Sequence, residues 1–110
     1  MIRLCAVDDL APDSARRFDV RGLRIALVRV GDDFYAIGDR CSHADVSLAD
    51  GEVLVASREL ECWKHGSAFS VETGVPSCLP AVKAVPTYQV VVQDGEVFVE
   101  REPTNKGAVR

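Results

Sequence analysis

The sequence predicts an all-β domain, and three observations predict it. Turn signals recur along the chain at Arg21-Gly22, Gly31-Asp32-Asp33, Asp50-Gly51, Glu72-Thr73-Gly74 and Asp94-Gly95. Between them, short runs are rich in apolar residues. In one, Leu23, Ile25 and Leu27 alternate with Arg24, Ala26 and Val28, the period of two expected of a strand. No stretch carries a convincing long helix. Many short strands between turn signals make an all-β architecture.

The elements follow in order. Residues 2–7 read as a first strand, and residues 8–13 as a turn-rich link. A second strand covers 16–20 and a third 23–28. Residues 34–37 return antiparallel after the turn at Gly31. Residues 53–57 are a short strand or a loop, 59–62 a short strand, and 68–71 another. Pairing the last two places Cys62 and His65 at a hairpin tip. Strands at 88–92 and 96–100 flank Asp94-Gly95, a strong hairpin signal. The polar stretch 102–110, with Pro103 and Gly107, reads as a flexible tail. Residues 1–101 then form a single domain.

The chain has 110 residues, which sets one domain. Such a chain buries about two thirds of its unfolded surface. Its net charge of −4 argues against nucleic-acid binding, which wants a basic stripe, and allows docking to a basic patch on a protein partner. No apolar run reaches the length of a membrane span. Met1-Ile2-Arg3-Leu4-Cys5 lacks the pattern of a signal peptide, so the expected location is cytoplasmic, away from membranes, with thiols reduced or metal-bound.

Both histidines and two of the four cysteines fall in two short stretches, Cys41-Ser42-His43 and Cys62-Trp63-Lys64-His65. Each stretch offers one thiolate and one imidazole. A zinc finger begins with two cysteines two to four residues apart and ends with two histidines. One Cys and one His on each arm fit that poorly. They fit a [2Fe–2S] cluster in which two histidines hold one iron and two cysteines the other. Cys41 and Cys62 would hold the inner iron, His43 and His65 the outer, with one cluster per chain. The remaining Cys5 and Cys78 read as free thiols, Cys5 buried in its strand as a small hydrophobe.

Formal charge explains the use of two histidines. Two ferric ions, two sulfides and four thiolates sum to minus two, whereas two thiolates and two neutral imidazoles bring the sum to zero. An electron is added more easily to the neutral cluster, which raises its potential.

At Cys41-Ser42-His43, Cys62-Trp63-Lys64-His65-Gly66-Ser67 and the later Leu79-Pro80, the chain resembles the Rieske family, in particular its small soluble ferredoxins. The resemblance runs from the first strand to about residue 100. It implies a Rieske iron–sulfur fold: stacked antiparallel sheets with a cluster-binding subdomain, residues 41–81, inserted between strands of the larger one. It also implies that Ser67, Phe69 and Pro80 surround the cluster. Respiratory and photosynthetic members carry an additional cysteine in each arm, joined as a disulfide. Here those positions are Val46 and Lys64. Phe69 stands where the high-potential pattern has a tyrosine donor, while Ser67 retains the serine. Fewer donors stabilise the reduced charge less, so the potential is expected at the low end of the Rieske span.

The resemblance implies an electron carrier rather than an enzyme. As a monomer, it would take single electrons from a reductase and pass them to a terminal oxygenase, as in ring-hydroxylating dioxygenases. Similar small proteins serve as subunits of assimilatory nitrite reductase or sit with iron–sulfur assembly machinery. From another class, a structural zinc module that binds a protein partner is the alternative. A complete oxygenase is excluded, because a second iron held by two histidines and a carboxylate would need histidines already used. No Gly-rich flavin or nicotinamide motif marks a reductase. Trp63 and Lys64 lie between the second-arm ligands; the plain expectation is that Trp63 packs over the tip and Lys64 is solvated.

Overall fold

The computed structural model describes residues 1–40, 46–64, 66–77 and 83–104. Nine strands form two antiparallel sheets among these residues. The larger contains β1 (Ile2–Ala6), β2 (Ser14–Val20), β3 (Leu23–Val30), β4 (Asp33–Gly38), β8 (Thr87–Gln93) and β9 (Glu96–Pro103), in the order β1-β9-β8-β4-β3-β2. The smaller contains β5 (Val53–Leu54), β6 (Glu59–Glu61) and β7 (Ala68–Ser70), with β6 in the middle. The only helical elements described are two 3-10 turns, Val7–Asp9 and Leu48–Asp50.

Local sequence explains the hairpins of the large sheet. β2 and β3 pair without a register break from Ser14↔Arg29 to Val20↔Leu23. β8 and β9 meet at Asp94-Gly95, where both residues have positive φ, 53° and 76°. That is the conformation a two-residue hairpin turn demands, and glycine adopts it without a Cβ penalty. The β4–β8 and β1–β9 pairings join segments far apart in sequence.

Alternation along β3 serves two cores at once. Ile25 and Leu27 pack with Ile2, Leu4, Cys5, Val97 and Val99 on one face. Ala26, Val28 and Val30 face the other side, where Leu48, Leu60, Phe69, Val71 and Val85 pack against them. The small sheet is therefore fixed to the large one by apolar burial. Arg58 adds a polar tie at its base, where its guanidinium donates to the Tyr35 hydroxyl at 2.6 Å and to Asp33 at 3.1 Å.

One boundary differs from the sequence expectation. The tail expected from residue 102 does not start there: β9 continues to Pro103, which pairs with Tyr88, and the Thr104 N–H donates to the Thr87 carbonyl at 2.8 Å, while residues 105–110 lie outside the described residues. The register between β8 and β9 shifts between Tyr88 and Val90, and β1 reaches no further along β9 than Val99. Proline is tolerated in such a place, beside an irregularity and beyond the neighbouring strand's reach. No helix among the described residues is long and apolar enough to cross a membrane.

Candidate metal centre

The second arm is a hairpin tip. β6 and β7 pair through Glu61↔Ala68, and the next step along the ladder is a bond from the Cys62 N–H to the Ser67 carbonyl at 2.6 Å. The Gly66 N–H donates to the Cys62 carbonyl at 2.9 Å, closing the turn. A hairpin tip ordinarily faces water. Here Cys62 and Ser67 are both 0% exposed, and Cys62 forms no disulfide. Phe69, also fully buried, shares an apolar cluster with Cys62, Leu60 and Val71. A buried, unoxidised thiol with a buried hydroxyl beside it suits a coordinating thiolate that accepts hydrogen bonds, so this half of the donor set fits an iron–sulfur cluster.

The expected site residues divide accordingly. Cys62, Ser67 and Phe69 are brought together at the tip of the small sheet. Cys41, His43, His65 and Pro80 lie outside the described residues, as does Cys78. Among the described residues, no three potential ligands come together. Of the positions aligned with the disulfide cysteines, Val46 is half-buried and Lys64 exposed. Trp63 does not pack over the tip. It is 56% exposed.

The ends of the first arm are described, and sequence reasoning missed what holds them. Arg40 and Ser47 form an antiparallel bridge, which brings together the two ends of the segment carrying Cys41 and His43 in sequence. Directly before it, Asp39 is fully buried. Its carboxylate accepts from the Ser47 hydroxyl at 2.5 Å and from the Ala49 N–H at 2.8 Å. The Nε atoms of Arg17 and Arg24 each lie 3.7 Å from the same carboxylate oxygen.

The other cysteine keeps to the role expected of it. Cys5 is free and buried, and burial pushes its thiol above the ordinary range. Desolvation disfavours the thiolate, so this sulfur is suited to packing.

Comparison with known proteins places this geometry among relatives. Residues 1–89 match the Rieske [2Fe-2S] domain family. The 3-phenylpropionate/cinnamic acid dioxygenase ferredoxin subunit of Escherichia coli (strain K12) is 40% identical over 99 residues, covering 90% of this chain and 92% of that protein. The structure of the ferredoxin of carbazole 1,9a-dioxygenase from Nocardioides aromaticivorans IC177 superposes with a TM-score of 0.89 at 40% identity, covering 92% of this chain and 97% of that one. A ferredoxin-like match at 38% identity and a TM-score of 0.86, covering 94% of each chain, comes from a complex of reduced oxygenase and oxidized ferredoxin in carbazole 1,9a-dioxygenase.

Proposed function

Because the chain belongs to the Rieske [2Fe-2S] domain family, we propose that it is the ferredoxin of a dioxygenase system, carrying single electrons from a reductase to a terminal oxygenase. The observation that carries this reading is the 40% identity to a dioxygenase ferredoxin subunit across 90% of the chain. The same observation favours a dioxygenase setting over a nitrite reductase or an assembly role. The protein acts as a carrier in the cytoplasm and is not itself an enzyme.

The ligands are Cys41 and Cys62 on one iron and His43 and His65 on the other, with residues 41–81 as the cluster-binding insertion. When bound, the [2Fe–2S] cluster supplies a one-electron redox couple. The chain supplies its surroundings. Burial of Cys62 keeps water from the sulfur, and the buried Ser67 is a candidate donor to the cluster's sulfurs. Phe69 fills the tyrosine position with an apolar ring, which removes one donor and lowers the potential. Trp63 and Lys64, exposed between Cys62 and His65 in sequence, present an aromatic and a cation to the docking partner. Exposed tryptophans are favoured anchors in such interfaces.

The test begins with metal analysis of aerobically purified protein. It should return two irons and two acid-labile sulfides per chain, whereas one zinc and no iron would overturn the reading. Stopped-flow reduction of the host's terminal oxygenase by the prereduced protein then addresses the role. A Trp63→Ala protein should transfer electrons more slowly with an unchanged cluster spectrum. No transfer to any oxygenase by the wild type, with the cluster intact, would reject the dioxygenase setting.

A further inference from the structure

We propose that Asp39 is a positioning residue for the cluster, holding the base of the first ligand arm and setting it in register with the second. The assignment rests on the ligand set proposed above.

Asp39 is two positions before Cys41 in sequence, and its backbone and side chain both span the arm. Its carbonyl accepts from the Leu48 N–H at 2.5 Å, while its carboxylate takes the Ser47 hydroxyl and the Ala49 N–H. Three consecutive residues after the arm are thus fastened to a single residue before it. From the other side, the Asp39 N–H donates to the Arg24 carbonyl at 3.0 Å, tying the hub to β3. A buried carboxylate is costly to desolvate unless it is hydrogen-bonded and faces cations. Arg17 and Arg24 supply that charge from partly exposed side chains, although the Arg24 Nε facing the carboxylate is itself buried.

The same unit reaches the second arm. The 3-10 turn Leu48–Asp50 ends at Gly51, whose position leaves no room for a side chain. A Cβ there would sit 1.6 Å from the Glu61 carbonyl oxygen. The Glu61 N–H in turn donates to the Glu52 carbonyl at 2.9 Å. Glu61 immediately precedes Cys62. A continuous path of short contacts therefore runs from Asp39, through Ser47 and the 3-10 turn, to the backbone that delivers Cys62. Four ligands on two separate arms bind one rigid cluster only if the arms keep a fixed spacing, and this path sets it.

The test compares Asp39→Ala, Asp39→Asn and Ser47→Ala with wild type and with Val97→Ala, a control in the remote core. Two quantities are read below the unfolding temperature: the rate of iron loss to a chelator and the EPR line shape of the reduced protein. Wild-type iron content tests the ligand set itself, and only the differences between variants test Asp39. Loss of supporting interactions around a metal site typically weakens it about ten- to a hundredfold. Asp39→Ala should lose iron at least about tenfold faster than wild type and show a broadened signal, while Val97→Ala changes neither. Asp39→Asn, which keeps an acceptor for the Ala49 N–H but not the charge, should lie nearer wild type. If Asp39→Ala does not accumulate folded, Ser47→Ala decides with the same readouts. An iron-loss rate and line shape matching Val97→Ala would overturn the proposal. So would an Asn variant as defective as the Ala variant, which would assign the effect to charge instead of position.

Discussion

The two sheets solve the problem of stability differently. The large one has strands of five to eight residues, and its central β3 buries side chains on both faces. It rests chiefly on apolar burial and its ladder of hydrogen bonds. The small sheet has strands of only two or three residues. Strands that short give few ladder bonds, and two- or three-stranded pieces hold only when packed against something else. Here they lean on β3 and β4 through Leu60 and Phe69, on the Asp39 hub and, under the ligand set proposed above, on the cluster. The comparison teaches that the large sheet carries its own packing, while the part to which the proposal assigns the chemistry borrows its support.

Removing the metal should expose this asymmetry most strongly. In iron-free protein, amides of β6 and β7 should exchange with solvent far faster than in the holo form, because metal binding contributes directly to the folding of the segment it joins. Amides of β3 should keep most of their protection. Hydrogen exchange followed by mass spectrometry reads both sheets at once, and equal loss of protection in the two would erase the distinction.

Next in size is the apolar bond between the sheets. Phe69→Ala should cost about 3–5 kcal/mol, the usual range for emptying a fully buried phenylalanine site. The loss should fall first on the small sheet, so iron should leave before the large sheet unfolds. Denaturation followed by visible absorbance and by far-ultraviolet circular dichroism separates the two events. Coincident transitions would show that the sheets unfold as one unit.

A smaller effect concerns the potential. Phe69→Tyr should raise it and Ser67→Ala should lower it, since a donor to cluster sulfur stabilises the reduced form more than the oxidised one. A hydrogen bond of about 1 kcal/mol corresponds to about 40 mV for one electron. Voltammetry on the three proteins decides the point. An unmoved potential in a Phe69→Tyr protein with an intact cluster would mean that position 69 does not face the sulfurs.

The smallest effect lies in the large sheet, at Cys5. Burial raises its thiol above the ordinary range, so the unfolded chain ionises first as pH climbs. The contribution of Cys5 is therefore complete below the ordinary thiol range and is lost as pH rises through it. Urea midpoints should decline in mildly alkaline solution, and Cys5→Ala should flatten that decline. An identical slope in the variant would remove Cys5 as a cause.

Much of this molecule was readable from its sequence, and the readable part has a common physical basis. Period-two alternation and the Arg21-Gly22 and Asp94-Gly95 turns are local signals, and they located β2, β3, β8 and β9 to within a few residues. The Cys–His spacing is local as well, and it pointed to the family to which residues 1–89 belong. What escaped was non-local. The β4–β8 and β1–β9 pairings depend on which edges meet in three dimensions. Asp50-Gly51 read as an ordinary turn, yet glycine is needed there because the Glu61 carbonyl approaches from another strand. Asp39 lies outside every strand the alternation marks, and only the fold shows that its carboxylate is buried. The extension of β9 to Pro103 was hidden by a proline and by charged neighbours, Glu100, Arg101 and Glu102, that look like the start of a tail.

The central claim is that two thiolates and the chain's two histidines together hold a one-electron centre. Pulsed EPR of the chemically reduced protein tests it most directly. The account predicts a paramagnetic signal coupled to the nitrogens of two imidazoles, and loss of most of the cluster on replacing either His43 or His65 with alanine, because the chain has no spare histidine. A wild-type signal with no nitrogen ligand coupling, no signal from the reduced wild type, or a His65→Ala protein with full iron and an unchanged spectrum would contradict it.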